Sequence, residues 1–231
     1  VVIFSMEIPE CVGFIMDGNR RWAKQRGLTP IEGHTKGYEV LLTTIESVHK
    51  MRIPHMVCYA FSTENWNRSK EEVAHLMNLL ERGLKEVGDA ITKHGRRANL
   101  RIIGERERLS EEMQSEIVRL ESGNIADPEL TVWLAISYGS RAEIVNAVNR
   151  AVVRGEAVTE MQFSDMLYTS GMPDPDLIIR TSGEKRISNF LLWQSAYSEL
   201  FFTDTLWPDF GESEFQAIVE AYGTRQRRKG T

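Results

Sequence analysis

Short apolar runs alternate with longer amphipathic segments along most of the chain. The runs at 12–16, 55–61, 100–103, 130–136 and 177–179 are nearly uninterrupted stretches of aliphatic and aromatic residues bounded by turn formers. A strand that buries both faces has this pattern, because neither face has to meet water. Between them, the segments 37–51, 70–93, 110–122, 141–154 and 213–222 repeat apolar positions at helical spacing, and Leu41, Leu42, Ile45 and Val48 mark one such face. This alternation predicts an α/β fold: a single domain over residues 1–231, with a mostly parallel central sheet of about six strands flanked by helices. No internal repeat, low-complexity stretch or linker rich in Pro, Gly or Ser divides it.

Composition narrows the class. With 42% hydrophobic and 26% charged residues the chain is of ordinary globular type. No run of about eighteen uncharged apolar residues is present, so no bilayer span is expected. The apolar opening at 1–4 is followed at once by Glu7 and Glu10 and has no basic stretch before it, so it does not read as a signal peptide, and a cytoplasmic location is expected. Cys11 and Cys58 sit inside apolar runs, which favours buried thiols over a disulfide or a metal site. A net charge of −5 argues against nucleic acid as a partner, although residues 225–229 are locally basic.

In a parallel sheet, ligands bind beyond the carboxyl ends of the strands, and three segments there are unusually polar. After the first run, Asp17-Gly18-Asn19 forms a tight turn and Arg20 begins a helix. A helix start with Arg20 and Arg21 beside it suits a diphosphate. Asp17 in the same turn would repel phosphate unless a divalent cation lay between them, which implies magnesium. The same residues can also serve simply as a helix cap. The second segment, with Ser62, Glu64, Asn65, Trp66 and Arg68, is either a binding loop or a capped turn before the helix at Lys70. The third sets Arg180, Lys185 and Arg186 around Ser182, Gly183 and Ser188, as a second anion site or as solvated surface arginines. Neither GxxxxGK[ST] nor GxGxxG occurs, which lowers the nucleotide-binding readings.

Taken in order, Gly13-Phe14-Ile15-Met16-Asp17-Gly18-Asn19-Arg20-Arg21-Trp22-Ala23, Gly33-His34, Tyr59-Ala60-Phe61-Ser62-Thr63-Glu64-Asn65-Trp66-Asn67-Arg68, Asp176-Leu177-Ile178-Ile179-Arg180-Thr181-Ser182-Gly183-Glu184, Arg186-Ile187-Ser188-Asn189-Phe190 and the stretch from Glu199 onward resemble the cis-prenyltransferase family, the undecaprenyl diphosphate synthase-like isoprenyl transferases. The resemblance implies condensation of isopentenyl diphosphate with an allylic diphosphate, farnesyl or geranylgeranyl diphosphate, to a medium or long cis-polyprenyl diphosphate. It implies magnesium held by Asp17 and by Glu199 of a neighbouring subunit, hence a homodimer. Asn19, His34 and Asn65 resemble residues that position substrate or assist proton movement. Gly18, Arg20, Arg21, Trp22 and Arg26 fall with the allylic diphosphate site, joined by Ser62, Glu64, Trp66 and Arg68 from the second segment. Arg180, Arg186 and Ser188 resemble the grip on isopentenyl diphosphate, and Arg228-Lys229-Gly230 an element that reaches across the dimer. A hydrophobic tunnel beside the sheet is expected for the growing chain, with Leu41, Leu42, Ile45, Ala60, Met77, Leu80, Leu84, Leu134 and Ile136 as wall candidates and Leu130 as its floor. Release of the product leaves room for a peripheral membrane contact.

The chain departs from the family pattern in places. Pro30 stands where many similar enzymes carry an arginine toward the allylic diphosphate, and Lys24 or Arg26 are the substitutes at hand. Cys11 replaces a common His, and Ser137-Tyr138-Gly139-Ser140-Arg141 follows an unusual Trp133. These changes bear on primer and product length rather than on the reaction. A trans-prenyltransferase is disfavoured, since that class carries Asp-rich motifs and this chain has no Asp-Asp pair.

Overall fold

Six runs rich in branched and aromatic residues lie side by side in one sheet: β1 (Cys11–Ile15), β2 (His55–Ser62), β3 (Ala98–Ile103), β4 (Leu130–Tyr138), β5 (Leu177–Arg180) and β6 (Glu199–Phe202). The computed structural model describes residues 7–93 and 97–225. The strand order is β3-β4-β2-β1-β5-β6, and every neighbouring pair is parallel. The expected α/β class and strand number hold, and the sheet is wholly parallel. All of β1 and all of β4 are buried, as uninterrupted apolar runs require. β6 escaped the sequence reading because it is a four-residue, half-exposed strand with no apolar periodicity of its own.

The helices are α1 (Asn19–Gln25), α2 (Pro30–Lys50), α3 (Lys70–Lys93), α4 (Glu111–Ser122), α5 (Ser140–Arg154), α6 (Glu160–Ser164) and α7 (Glu212–Gly223). One sheet face carries Val12, Phe14, Cys58, Leu100, Val132, Leu134 and Ile179 and packs in one cluster with residues of α2, α3, α4 and α7. The other carries Cys11, Val57, Trp133, Ala135 and Ile178 against Met172, Phe190 and Leu191. Both cysteines are free and buried, on opposite faces, as expected. Burial pushes both thiols up, with Asp176 and Glu10 adding to the effect at Cys11.

Two local features prepare the site. Helix α2 begins at Pro30, seven residues before the apolar face that announced it. Thr29 and Glu32 close a reciprocal capping box there, and Pro30 needs no partner at the first helical position. Helix α1 then lies directly on α2: a Cβ at Gly33 would meet the Asn19 carbonyl oxygen at 2.3 Å, and one at Gly37 the Asn19 Oδ1 at 2.2 Å. Secondly, the pairing of β2 with β4 slips at Ala60, since Tyr59 opposes Ala135 and Phe61 opposes Ile136. Such a bulge re-aims side chains locally.

Topology fixes where the crevice opens. The connection leaving β1 runs to β2 on one side, and that leaving β5 runs to β6 on the other. Their carboxyl ends therefore part at a switch point, where open α/β sheets bind ligands.

Candidate active site

At that switch point the first and third polar segments meet. Gly18 has φ +115°, and Leu206 atoms would lie 3.0–3.1 Å from any Cβ placed there, so the turn needs glycine. The Asp17 carbonyl accepts from Thr181 Oγ1 at 2.6 Å and from the Trp207 amide at 3.0 Å, which pins the turn to the exits of β5 and β6. The Asp17 carboxylate accepts from Arg180 Nη2 at 2.7 Å. Arg180 is 5% exposed at its side chain, and its Nη1 donates at 2.6 Å to both the Arg186 carbonyl and Ser188 Oγ. Its Nε is buried with no hydrogen-bond partner. Arg21 donates to Ser182 Oγ and lies 3.9 Å from Asp17 and 4.0 Å from Glu184. Arg186, 59% exposed, pairs with Glu184 at 2.5 Å. One guanidinium thus joins the Asp17 turn to the Arg186–Ser188 loop.

A polar cleft of about 800 Å³ is lined by Met16, Asp17, Gly18, Asn19, Arg20, Arg21, Lys24, Gly27, Leu28, Pro30, His34 and Arg68. Of the two substitutes for the charge expected at Pro30, Lys24 lines the cleft together with Pro30 and Arg26 does not. His34 is 9% exposed and its Nε2 sits 3.3 Å from Glu72 Oε1. Burial lowers the pKa of His34 against the opposing pull of Glu72. The same Glu72 oxygen accepts from Arg68 Nη1 at 2.9 Å and has Arg20 Nε at 3.8 Å. Burial would raise the Glu72 carboxyl, but Arg68, His34 and Arg20 outweigh it and hold it below the ordinary range. Glu72 was not singled out from the sequence; its four-residue spacing from Arg68 on a helix start was the available signal.

Met16, Asn19 and His34 also line a second cavity, narrow and apolar, of about 100 Å³. It runs between α2, α3 and the sheet, with Leu41, Leu42, Ile45, Ala60, Leu80, Leu84 and Leu134 among its walls, all of them expected there. Met77 and Ile136 do not line it. Trp133 faces the other side of the sheet and so does not narrow it. Leu130, the expected floor, does not line it either; it lies on the same sheet face, two residues before Val132 and farther from the cleft.

Other expected site residues lie elsewhere. Trp22 Nε1 donates to Asp209 Oδ1 at 2.7 Å, and Arg26, stacked 4.3 Å over the Trp22 ring, pairs with the same carboxylate at 3.1 Å. Neither lines the cleft. The second segment is a 3-10 turn over Thr63–Asn67, in which Asn65 Oδ1 accepts from the Ser62 amide at 3.0 Å. Trp66 donates to Ser137 Oγ at 2.9 Å and packs edge-on to Phe61, with Arg108 4.8 Å over its ring. Glu64 accepts from Asn189 Nδ2 at 2.9 Å. Glu199 opens β6 beside Leu177 and accepts from Arg225, so within one chain it stands about 10 Å of strand below the level of Arg180. Arg228-Lys229-Gly230 lies outside the described residues. Among the described residues, no three His, Cys, Asp or Glu side chains converge on a common point that could hold a metal.

The chain matches, over residues 15–230, the family model described as "Putative undecaprenyl diphosphate synthase". An isoprenyl transferase of Fusobacterium nucleatum is 47% identical over 224 residues, covering 96% of each chain. One of Aquifex pyrophilus is 48% identical, covering 98% of this chain and 97% of its own. Among solved structures, lavandulyl diphosphate synthase from Lavandula x intermedia, in complex with dimethylallyl diphosphate, superposes with a TM-score of 0.91 at 35% identity, over 97% of this chain and 99% of that one. A probable undecaprenyl diphosphate synthase from Campylobacter jejuni does so with a TM-score of 0.81 at 32% identity, over 98% and 100%.

Proposed function

This chain belongs to the undecaprenyl diphosphate synthase family of isoprenyl transferases, and on that footing we propose that it adds isopentenyl diphosphate to an allylic diphosphate, farnesyl or geranylgeranyl diphosphate, to build a medium or long chain with cis double bonds. The observation that carries this reading is the junction of two unlike cavities. A cleft rich in Arg and Lys shares Met16, Asn19 and His34 with an apolar cavity behind it, which suits a ligand with a diphosphate head and a hydrocarbon tail. Each methylene buried in such a cavity gains about 0.8 kcal/mol.

In this reading the allylic diphosphate lies in the cleft against Arg20, Arg21, Lys24 and Arg68, where positive charge favours the oxygens as the carbon–oxygen bond breaks. Arg180, Arg186 and Ser188 hold isopentenyl diphosphate, and placing the two substrates side by side removes an entropic barrier. His34, Asn19 and Asn65 position the reacting ends. The proton lost from the added unit goes to a side chain or to the departing diphosphate. Asp17 lines the cleft, and one or two carboxylates plus phosphate oxygens and water are the usual donor set of magnesium; Asp17, with Glu199 of the partner subunit, would hold the ion. When bound, magnesium supplies charge neutralisation at the leaving diphosphate.

A homodimer follows from that sharing. It is supported by the distance of Glu199 from its own Asp17 along the sheet and by the exposed apolar positions Val145, Val148, Val152 and Val153 on α5. Among the described residues no helix is long and apolar enough to cross a membrane; a cytoplasmic location with peripheral membrane contact at product release is part of the proposal. The test is incubation with radiolabelled isopentenyl diphosphate, farnesyl diphosphate and magnesium. Label extractable into butanol is expected, and none at all would refute the reading.

A further inference from the structure

Asn189 stands in the loop that leaves the second anion site. Its φ is +64°, and Ser188 and Leu191 at +49° and +48° share the left-handed region. Side chains there cost about 1 kcal/mol or more each, so surrounding contacts must hold the loop in shape. Phe190, buried and stacked 4.7 Å from the Tyr59 ring, supplies the apolar hold. Asn189 supplies the polar one. Helix α5 starts after Gly139, which has no side chain to cap it. Asn189 does so from 48 residues away: its carbonyl accepts from the Ser140 amide at 2.8 Å and its Oδ1 from the Arg141 amide at 2.9 Å. Two otherwise orphaned donors of the helix are satisfied in this way. Its Nδ2 donates to Glu64 Oε1 at 2.9 Å. A Cβ at Gly139 would lie 2.5 Å from Thr63 Oγ1 and 2.8 Å from Asn189 Nδ2, so the bare glycine leaves the passage open for the amide.

We propose that Asn189 is a positioning residue for the isopentenyl diphosphate site: by capping α5 and tethering Glu64 it holds the Ser188 hydroxyl and the Arg186 carbonyl that orient Arg180. The inference rests on the function proposed above for that site. The amide suits this place because its two ends offer an acceptor to Arg141 and a donor to Glu64 at once.

Asn189→Asp keeps the acceptor for α5, where negative charge at a helix start is favourable, but sets two carboxylates against each other. Calorimetric titration of isopentenyl diphosphate, with an unreactive thiodiphosphate analogue of the allylic substrate present, should show affinity lowered about tenfold while the melting temperature stays near that of the wild type. Adding Glu64→Gln restores a donor opposite the new carboxylate, so the double variant should bind nearly as well as Glu64→Gln alone. Should Asn189→Asp fail to fold, Gly139→Ala displaces the same amide and must show the same loss. Wild-type affinity in Asn189→Asp or Gly139→Ala, or strictly additive losses in the double variant, overturns the inference. A chain that shows the expected binding pattern yet forms no prenyl product would refute the proposed function and leave the positioning role standing.

Discussion

Replacing Asp17 with Ala should separate chemistry from stability, because the structure ties that carboxylate to one buried cation. Arg180 is 5% exposed and Asp17 34%, with 2.7 Å between Nη2 and Oδ2. A fully buried pair broken on one side costs about 3–5 kcal/mol and an exposed one under about 1 kcal/mol. Here the anion is one-third open to solvent, which screens the pair, and Arg180 keeps its bonds to the Arg186 carbonyl and Ser188. A loss of about 1–2 kcal/mol follows, or ~2–8 °C in melting temperature for a chain of this size. Turnover should fall much further, since the proposed function assigns Asp17 to the magnesium at the leaving group. Circular dichroism melts and steady-state prenyl transfer, run on the same preparation, give the two numbers. Retention of more than about a tenth of wild-type kcat, a barrier increase under roughly 1.4 kcal/mol, would refute the assigned role. A melting temperature unchanged from wild type would refute the weight given to the Asp17–Arg180 pair.

Arg180→Ala and Arg186→Ala should both raise KM for isopentenyl diphosphate, but only Arg180→Ala should also lower the melting temperature, because Arg186 is 59% exposed; a shift confined to the allylic KM would mean that the two anion sites are exchanged. Ala60→Leu, at the bulge that lines the apolar cavity, should shorten the products and Leu130→Ala lengthen them, as read by chromatography. An unchanged distribution in Ala60→Leu would remove the case for a long product. Burial lowers the His34 pKa from 6.5, so between that value and the folded one the unfolded chain binds more protons and stability declines as pH falls. His55 is lowered too, so His34→Gln should flatten only part of the decline below about pH 6.5 in pH-dependent urea melts; an unchanged slope would show that His34 gains no proton on unfolding in that range.

Much of this protein was determined by local pattern alone. Uninterrupted apolar runs must be buried on both faces, and their alternation with amphipathic segments leads to a parallel sheet between helices whatever the details of packing. The Asp17 turn, Arg180 and the Arg186–Ser188 loop were visible because polar residues cluster immediately after such runs. Tertiary structure decided the pairings, which depend on residues far apart in the chain. That Asp17 meets Arg180, that Glu72 draws His34 and Arg20 to its local partner Arg68, and that Asn189 caps a helix it does not belong to follow from how distant elements pack, for which no local pattern carries a signal. The same holds for Trp22 and Arg26, drawn to Asp209 and away from the cleft. The facing of Trp133 away from the apolar cavity was open in the sequence, because strand alternation says that neighbours point to opposite faces but only the packing of α2 and α3 on one of them says which face is the cavity.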